Sequence, residues 1–179
     1  MSKKILILSG SPRKGGNSET LCAQFAKGAE EAGHTVDMVR LHTKKLGFCT
    51  ACYACKKTGV CVQKDDMADI LEKMGEADVI VLSTPVYFYQ MTAQMKTLID
   101  RTMASYYDQT LAGKEFYFIV TAAEEKPALE RTMDGLKGLT DCIPNAKVRG
   151  RIYGAGAWQL GDIQGNPAME EAYEMGRKA

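Results

Sequence analysis

The chain has 179 residues, enough for one domain with a hydrophobic core of its own. Its 23 basic and 22 acidic residues leave a net charge of +1, which excludes the strongly basic surface of a protein that binds nucleic acid or an anionic membrane. No apolar run approaches the roughly 20 residues of a membrane-spanning helix, and the residues before Ser9 are too few for a secretion signal, so we expect a cytoplasmic protein.

The first apolar run, residues 5–8, predicts a buried strand, and residues 9–18 after it form a loop rich in glycine and hydroxyl side chains. A helical pattern follows and ends near Gly33. Because N–H groups at the start of a helix attract anions, the loop predicts a phosphate site. The alternative is a tight turn in which Asn17 or Ser18 only caps the helix. The loop lacks both the lysine of a Walker P-loop and a G-x-G-x-x-G pattern, which leaves a monophosphate such as FMN.

A second strand is predicted over residues 35–41, and the long irregular stretch after it, about 43–64, contains a C-x2-C-x2-C-x5-C run. The four cysteines in this run are Cys49, Cys52, Cys55 and Cys61. Thiolates at this spacing can converge on one soft metal centre, and the pattern favours a single [4Fe-4S] cluster. Three alternatives stay open: a structural zinc site, disulfides in an oxidising compartment, and thiols that hold no metal.

The next helical pattern, residues 67–74, leads to a strand over residues 79–82 and then to a loop, residues 83–90, with a proline and three aromatic side chains. Aromatic residues beside a proline at the end of a strand predict an apolar face for a flat ring, such as the isoalloxazine of a flavin. The alternative is that these aromatic side chains only cover the end of the core.

The rest of the chain continues the alternation of helices and strands. It predicts a helix over residues 91–103, a strand over 116–120, a helix over 129–139, a mixed strand over 148–153 and a helix from about 169. Five strands alternating with helices indicate an α/β fold with a doubly wound parallel sheet and helices on both faces. Such sheets bind ligands beyond the carboxyl ends of their strands. Trp158 is expected to serve only in packing.

Three segments together resemble a known family. The patterns S-G-S-P-R-x-x-G-N-S from Ser9, T-P-V-Y-F from Thr84 with K-x3-D-R from Lys96, and G-D-I from Gly161 are similar to NAD(P)H-dependent FMN reductases of the flavodoxin-like superfamily. The cysteine run and the K-D-D-M after it resemble the iron–sulfur flavoprotein branch. The resemblance implies a flavodoxin-like sheet in the order 2-1-3-4-5.

The resemblance also implies which residues contact the flavin. The first loop would hold the phosphate of FMN, mainly through Ser11, Arg13, Asn17 and Ser18, while residues 85–88 and the alanines after the fourth strand would contact the ring. The expected cofactor-binding residues are Ser9, Ser11, Arg13, Gly16, Asn17, Ser18, Pro85, Val86, Tyr87, Phe88 and Ala122.

The function expected from these observations is an FMN-dependent oxidoreductase. It would move electrons from NAD(P)H or a reduced carrier through FMN and a [4Fe-4S] cluster to a small acceptor such as a quinone, and no side chain is expected to be catalytic because FMN supplies the chemistry. One alternative is an electron carrier that exchanges electrons with ferredoxin-like donors without binding a nicotinamide. Another is a plain NAD(P)H-dependent FMN or quinone reductase with a metal-free cysteine loop.

The order of the strands leads to an expectation about assembly. The cysteine loop follows the second strand, so the first strand and its phosphate loop stand between it and the flavin ring. A cluster there would face outward, and we expect a homodimer or homotetramer in which the cysteine loop lies at a subunit interface.

Overall fold

The computed structural model describes residues 1–179 and contains one five-stranded parallel sheet in the order β2-β1-β3-β4-β5, as predicted. The strands are β1 (Lys4–Ser9), β2 (Thr35–Arg40), β3 (Val79–Pro85), β4 (Glu115–Thr121) and β5 (Lys147–Gly154). The carboxyl ends of all five strands therefore meet at one edge, where the loops that follow them can surround a ligand.

Seven α-helices connect and follow the strands. They are α1 (Asn17–Glu31), α2 (Cys55–Thr58), α3 (Met67–Glu76), α4 (Ala93–Arg101), α5 (Met103–Tyr106), α6 (Lys126–Asp141) and α7 (Ala168–Arg177), with one 3-10 turn at Leu41–Thr43. The single helix predicted over residues 91–103 is instead two helices separated at Thr102, whose hydroxyl donates a 2.7 Å hydrogen bond to the Ile99 carbonyl. None of the helices has the length and apolar character that crossing a membrane requires.

The central strands are buried on both faces, and alternate side chains enter different core layers. In β1, Leu6 and Leu8 join the layer formed with α3, α4 and α6. Ile5 and Ile7 join the layer formed with α1 and α7. This double coverage explains why β1, β3 and β4 are continuous apolar runs, whereas the edge strands β2 and β5 are partly exposed and mixed in sequence.

Helices α1 and α7 approach each other closely through two glycines. A Cβ atom at Gly28 would overlap the Tyr173 carbonyl oxygen, and one at Gly176 would overlap the Phe25 carbonyl oxygen. Only residues without a side chain permit this contact, which holds α1 and α7 together on one face of the sheet.

Candidate functional site

The loops that follow β1, β3, β4 and β5 enclose a cavity of about 430 Å³ at the carboxyl edge of the sheet. This volume falls within the range of roughly 300–1,000 Å³ that is typical of small-molecule sites. The expected cofactor-binding residues that line it are Ser11, Arg13, Gly16, Asn17, Ser18, Pro85, Val86, Tyr87, Phe88 and Ala122. Ser9 does not line the cavity. It ends β1, is fully buried, and its hydroxyl has no hydrogen-bond partner.

The first turn of α1 forms one end of the cavity. Gly16 occupies the N-cap position and no side chain caps the helix, so the alternative in which Asn17 or Ser18 is a cap is not found. A Cβ atom at Gly16 would lie 3.0 Å from the Ser11 hydroxyl and 3.2 Å from the Arg13 carbonyl, which makes glycine the residue that fits this narrow turn. The first-turn N–H groups and the positive end of the helix dipole therefore remain available to an anion.

A buried acidic side chain also lies in this turn, and its charge is balanced. Glu19 accepts hydrogen bonds from the Gly15 N–H at 3.1 Å and from Arg40 Nε at 2.5 Å. Because Arg40 neutralises this carboxylate, the end of the cavity formed by α1 stays favourable for an anion.

The amide of Asn17 joins α1 to the loop after β5. Its Nδ2 donates to the Gln159 carbonyl at 2.8 Å, and its Oδ1 accepts from the N–H of Gly161 at 3.2 Å. These bonds leave the second N–H of the amide and the backbone N–H of Asn17 open to a phosphate, the group that Asn17 was expected to hold. Asn17 also shapes the cavity by holding a wall in place.

That wall carries a residue whose role the sequence analysis misjudged. Trp158 is 65 % exposed and lines the cavity, so the expectation that it serves only in packing is wrong. Arg13 Nη1 donates a 3.3 Å hydrogen bond to the Trp158 carbonyl and brings the loop after β1 together with the loop after β5.

The opposite end of the cavity is formed by a tight turn after β3. Tyr87 and Gln90 exchange two backbone hydrogen bonds of 2.8 and 3.0 Å. Phe88 and Tyr89 between them have φ angles of 51° and 60°, as in a type I′ turn. Phe88 at the tip is fully exposed. The Arg131 guanidinium lies 5.2 Å from the centre of the Tyr89 ring and supports this turn from α6.

A buried threonine, Thr92, links the two loops that face each other across the cavity. Its hydroxyl donates to the Gly10 carbonyl at 2.8 Å, and its N–H donates to the Thr84 hydroxyl at 3.0 Å. A Cβ atom at Gly10 would lie 2.9 Å from the Thr92 hydroxyl, so only glycine fits this crossing without displacing the threonine. No sequence pattern marks Thr92, because its hydrogen-bond partners come from distant segments.

The side of the cavity formed by the loops after β4 and β5 is lined by alanines. The Ala122 carbonyl accepts from the Ala157 N–H at 2.8 Å, and the Ala122 N–H donates to the Gly154 carbonyl at 3.1 Å. These bonds join the two loops, and the small side chains of Ala122, Ala123 and Ala157 leave a flat surface.

The four cysteines of the C-x2-C-x2-C-x5-C run do not come together in this structure. No group of three His, Cys, Asp or Glu side chains has an arrangement that could hold a metal ion. Cys49 and Cys52 are exposed, Cys55 and Cys61 are half-buried, and none is in a disulfide. Four thiols are the donors that an iron–sulfur cluster uses, so the chemistry of the set suits a cluster while the observed positions do not.

Cys52, in this run, and Cys22, in α1, have thiols in contrasting surroundings. The pKa of Cys52 is lowered, first by a hydrogen bond from the Ala54 N–H and then by one from the Thr50 hydroxyl. In α1, burial raises the pKa of Cys22 to about 12. Cys22 is therefore an inert core residue, whereas Cys52 is accessible and more readily ionised.

Comparison with known proteins shows which family this chain resembles in sequence. The sequence profile of the NADPH-dependent FMN reductases matches residues 3–153. An iron–sulfur flavoprotein of Methanocaldococcus jannaschii is 32% identical over 180 residues, which cover 96% of this chain and 88% of that protein. An iron–sulfur flavoprotein of Archaeoglobus fulgidus is 40% identical over 111 residues, 62% of this chain and 50% of that protein. The chain thus spans only about half the length of the second relative.

Solved structures share the fold at low sequence identity. An NAD(P)H:quinone oxidoreductase from Methanothermobacter marburgensis superimposes with a TM-score of 0.75 at 17% identity, covering 99% of this chain and 97% of that one. An FMN-dependent NADH-azoreductase from Bacillus anthracis, solved in complex with FMN, has a TM-score of 0.75 at 14% identity and covers 98% of both chains.

Proposed function

Because the chain belongs to the NADPH-dependent FMN reductase family, we propose that it is an oxidoreductase that binds FMN at the carboxyl edge of its sheet. It would take electrons from NAD(P)H or a reduced carrier and deliver them to a small acceptor such as a quinone. The observation that carries this proposal is that one cavity gathers residues from the loops after β1, β3, β4 and β5.

The residues around the cavity fit the two ends of FMN. The uncapped first turn of α1, with the Arg13 guanidinium beside it, offers N–H and cationic donors to a phosphate. Pro85, the turn after β3 and the alanine-lined wall form an apolar slot that suits a flat ring. When bound, FMN accepts hydride from a nicotinamide and releases electrons one or two at a time.

We propose in addition that the four cysteines hold a [4Fe-4S] cluster. The spacing of the cysteines and the iron–sulfur flavoproteins among the relatives support this assignment. Residues 49–61 would have to change conformation to bring the thiols together, because they are apart in this structure.

Composition and reduction kinetics test these proposals. The protein is purified anaerobically, and flavin, iron, sulfide and zinc are measured per chain. Bound FMN with equal iron and sulfide supports both assignments, while zinc without sulfide, or flavin without metal, overturns the cluster. Rapid bleaching of the flavin by NADH or NADPH supports the enzyme. Inertness to both, with rapid reduction by ferredoxin, would instead assign the chain as an electron carrier.

We propose that the protein is a homodimer or homotetramer with the cysteine segment, the stretch of about residues 43–64, at a subunit interface. Four large apolar side chains on or beside this segment are exposed: Phe48, Tyr53, Val60 and Val62. A cluster of exposed apolar groups of this kind is typical of a surface that another protein covers. A monomer in light scattering at micromolar concentration, or a crystal structure with this segment remote from every subunit contact, would refute the proposal.

A further inference from the structure

Arg101, the last residue of α4, lies at the base of the cysteine segment. Its side chain is only 1 % exposed, and Nη1 and Nη2 donate to the two carboxylate oxygens of Asp65 at 2.7 and 2.9 Å. Nη1 also donates to the Gly47 carbonyl at 2.7 Å and to the Gln63 amide oxygen at 3.2 Å. One guanidinium thus contacts residues on both sides of the four cysteines.

The chain on either side of the cysteines is closed by further hydrogen bonds, and we call residues 45–48 and 63–67 the neck. Asp65 accepts from the Gly47 N–H at 2.8 Å, and the Gln63 amide donates to the Phe48 carbonyl at 2.8 Å. A Cβ atom at Gly47 would collide with the side-chain amide oxygen of Gln63, so glycine at this position leaves room for the Gln63 side chain across the neck. Arg101 is the only residue outside the neck whose side chain forms hydrogen bonds with it, while Leu46 and Met67 of the neck pack on the hydrophobic core.

The loop beyond the neck, residues 49–62, has little support from the rest of the protein. Its hydrogen bonds are local, such as that from the Gly59 N–H to the Cys55 carbonyl at 2.8 Å. Ala51 and Tyr53, on either side of Cys52, have positive φ angles of 52° and 56°, which side chains disfavour. No hydrogen bond links this loop to the rest of the chain, and those of its side chains are also local.

We infer that Arg101 is a positioning residue for the cysteine segment. With Asp65 it holds the neck closed, so that the four thiols gather on their metal centre through rearrangement of residues 49–62 alone. The inference rests on the proposed metal centre, whereas the hydrogen bonds that close the neck are present in the structure without it.

The test compares two neck variants with one control. Arg101→Lys keeps the positive charge but loses the bidentate hydrogen bonding to Asp65. Asp65→Asn keeps the shape of the side chain but loses its negative charge. Gly28→Ala is the control, because it disturbs the packing of α1 on α7, away from the neck. Each full-length protein is purified anaerobically, and three quantities are measured: the ratio of iron to FMN, the rate of iron loss to a chelator, and amide hydrogen exchange of the neck after iron removal.

We expect both neck variants to retain FMN and to lose iron roughly tenfold faster than the wild type, because a loosened neck no longer holds the two ends of the cysteine segment together. We also expect faster exchange at residues 45–48 and 63–67, with no such changes in Gly28→Ala. Wild-type iron retention in both neck variants would overturn the inference, and so would equal iron loss in the control.

The failure of the proposed metal centre is distinguishable from the failure of this inference. If the wild type binds FMN but no iron, the cluster assignment falls, and exchange at the neck decides the role of Arg101. Faster exchange in Arg101→Lys and Asp65→Asn would then support the positioning role, and unchanged exchange would refute it.

Discussion

Replacement of Asp65 by Asn should destabilise the protein by an amount that depends on pH. The Arg101 guanidinium, followed by the Gly47 and Met67 N–H groups, outweighs burial and lowers the pKa of Asp65 from 3.8 to about 2. At about 1.4 kcal/mol per pKa unit, this shift corresponds to about 2.5 kcal/mol of folding free energy. Only 12 % of the Asp65 side chain is exposed, so solvent screens the pair little.

The direction of the pH dependence follows from the lowered pKa. The charged carboxylate contributes its full stabilisation above pH 3.8, and the contribution is lost as the pH falls through about 2, because the carboxyl group is then protonated in both folded and unfolded states. Asp65→Asn resembles the protonated side chain at every pH. Wild type and variant should therefore differ by about 2.5 kcal/mol at neutral pH and converge in strong acid.

Urea unfolding followed by circular dichroism measures this difference at a series of pH values. Asp37→Asn is the matched control, because Asp37 pairs with Lys73 on the surface, where both side chains are about half exposed, and its loss should change the free energy of unfolding by less than about 0.5 kcal/mol. A difference for Asp65→Asn that stays constant with pH, or that is no larger than the control, would refute the reasoning.

Three further outcomes are expected. Arg13→Ala should weaken FMN binding by roughly 1.5–3 kcal/mol through loss of a charge-assisted phosphate contact, and an unchanged dissociation constant would contradict the phosphate assignment. Cys52→Ser should abolish the iron absorbance and leave FMN bound, whereas loss of both chromophores from a folded variant would argue against separate sites. In urea unfolding, Gly28→Ala should lower the free energy of unfolding by about 1–3 kcal/mol. Gly138→Ala should raise it by up to about 1 kcal/mol, because no atom lies within 4 Å of the new methyl group. The opposite ranking of the two variants would contradict the close packing of α1 and α7.

The sheet could be predicted from the sequence because its central strands are covered on both faces. The apolar runs at residues 5–8, 79–82 and 116–120 all lie within observed strands, and their alternation with helices indicates the parallel sheet that is found. The break between α4 and α5 could not be predicted, because the apolar spacing continues through Met103. The hydroxyl of Thr102 that bonds at this break has no signature in the hydrophobic pattern.

Residues of the site were predictable where they are consecutive at the end of a strand. The loops after β1 and β3 could be identified because each combines unusual residue types within ten positions. Trp158 was missed because the path of the loop after β5 depends on Asn17, far away in the sequence. The Arg101–Asp65 pair joins residues 36 positions apart, so no local pattern reveals it. Cysteine spacing likewise indicates a ligand set but not the backbone conformation between the cysteines.

The turn at Phe88 and Tyr89 has a consequence for how this chain could be stabilised. Each of these residues occupies a left-handed conformation that costs roughly 1–2 kcal/mol relative to glycine, and Asn-Gly is the sequence that such a turn favours. Selection for heat resistance alone would therefore replace the aromatic tip, and with it the apolar edge of the cavity. Consensus or ancestral designs of this protein should keep both positions fixed, because this is where gains in stability and loss of activity would coincide.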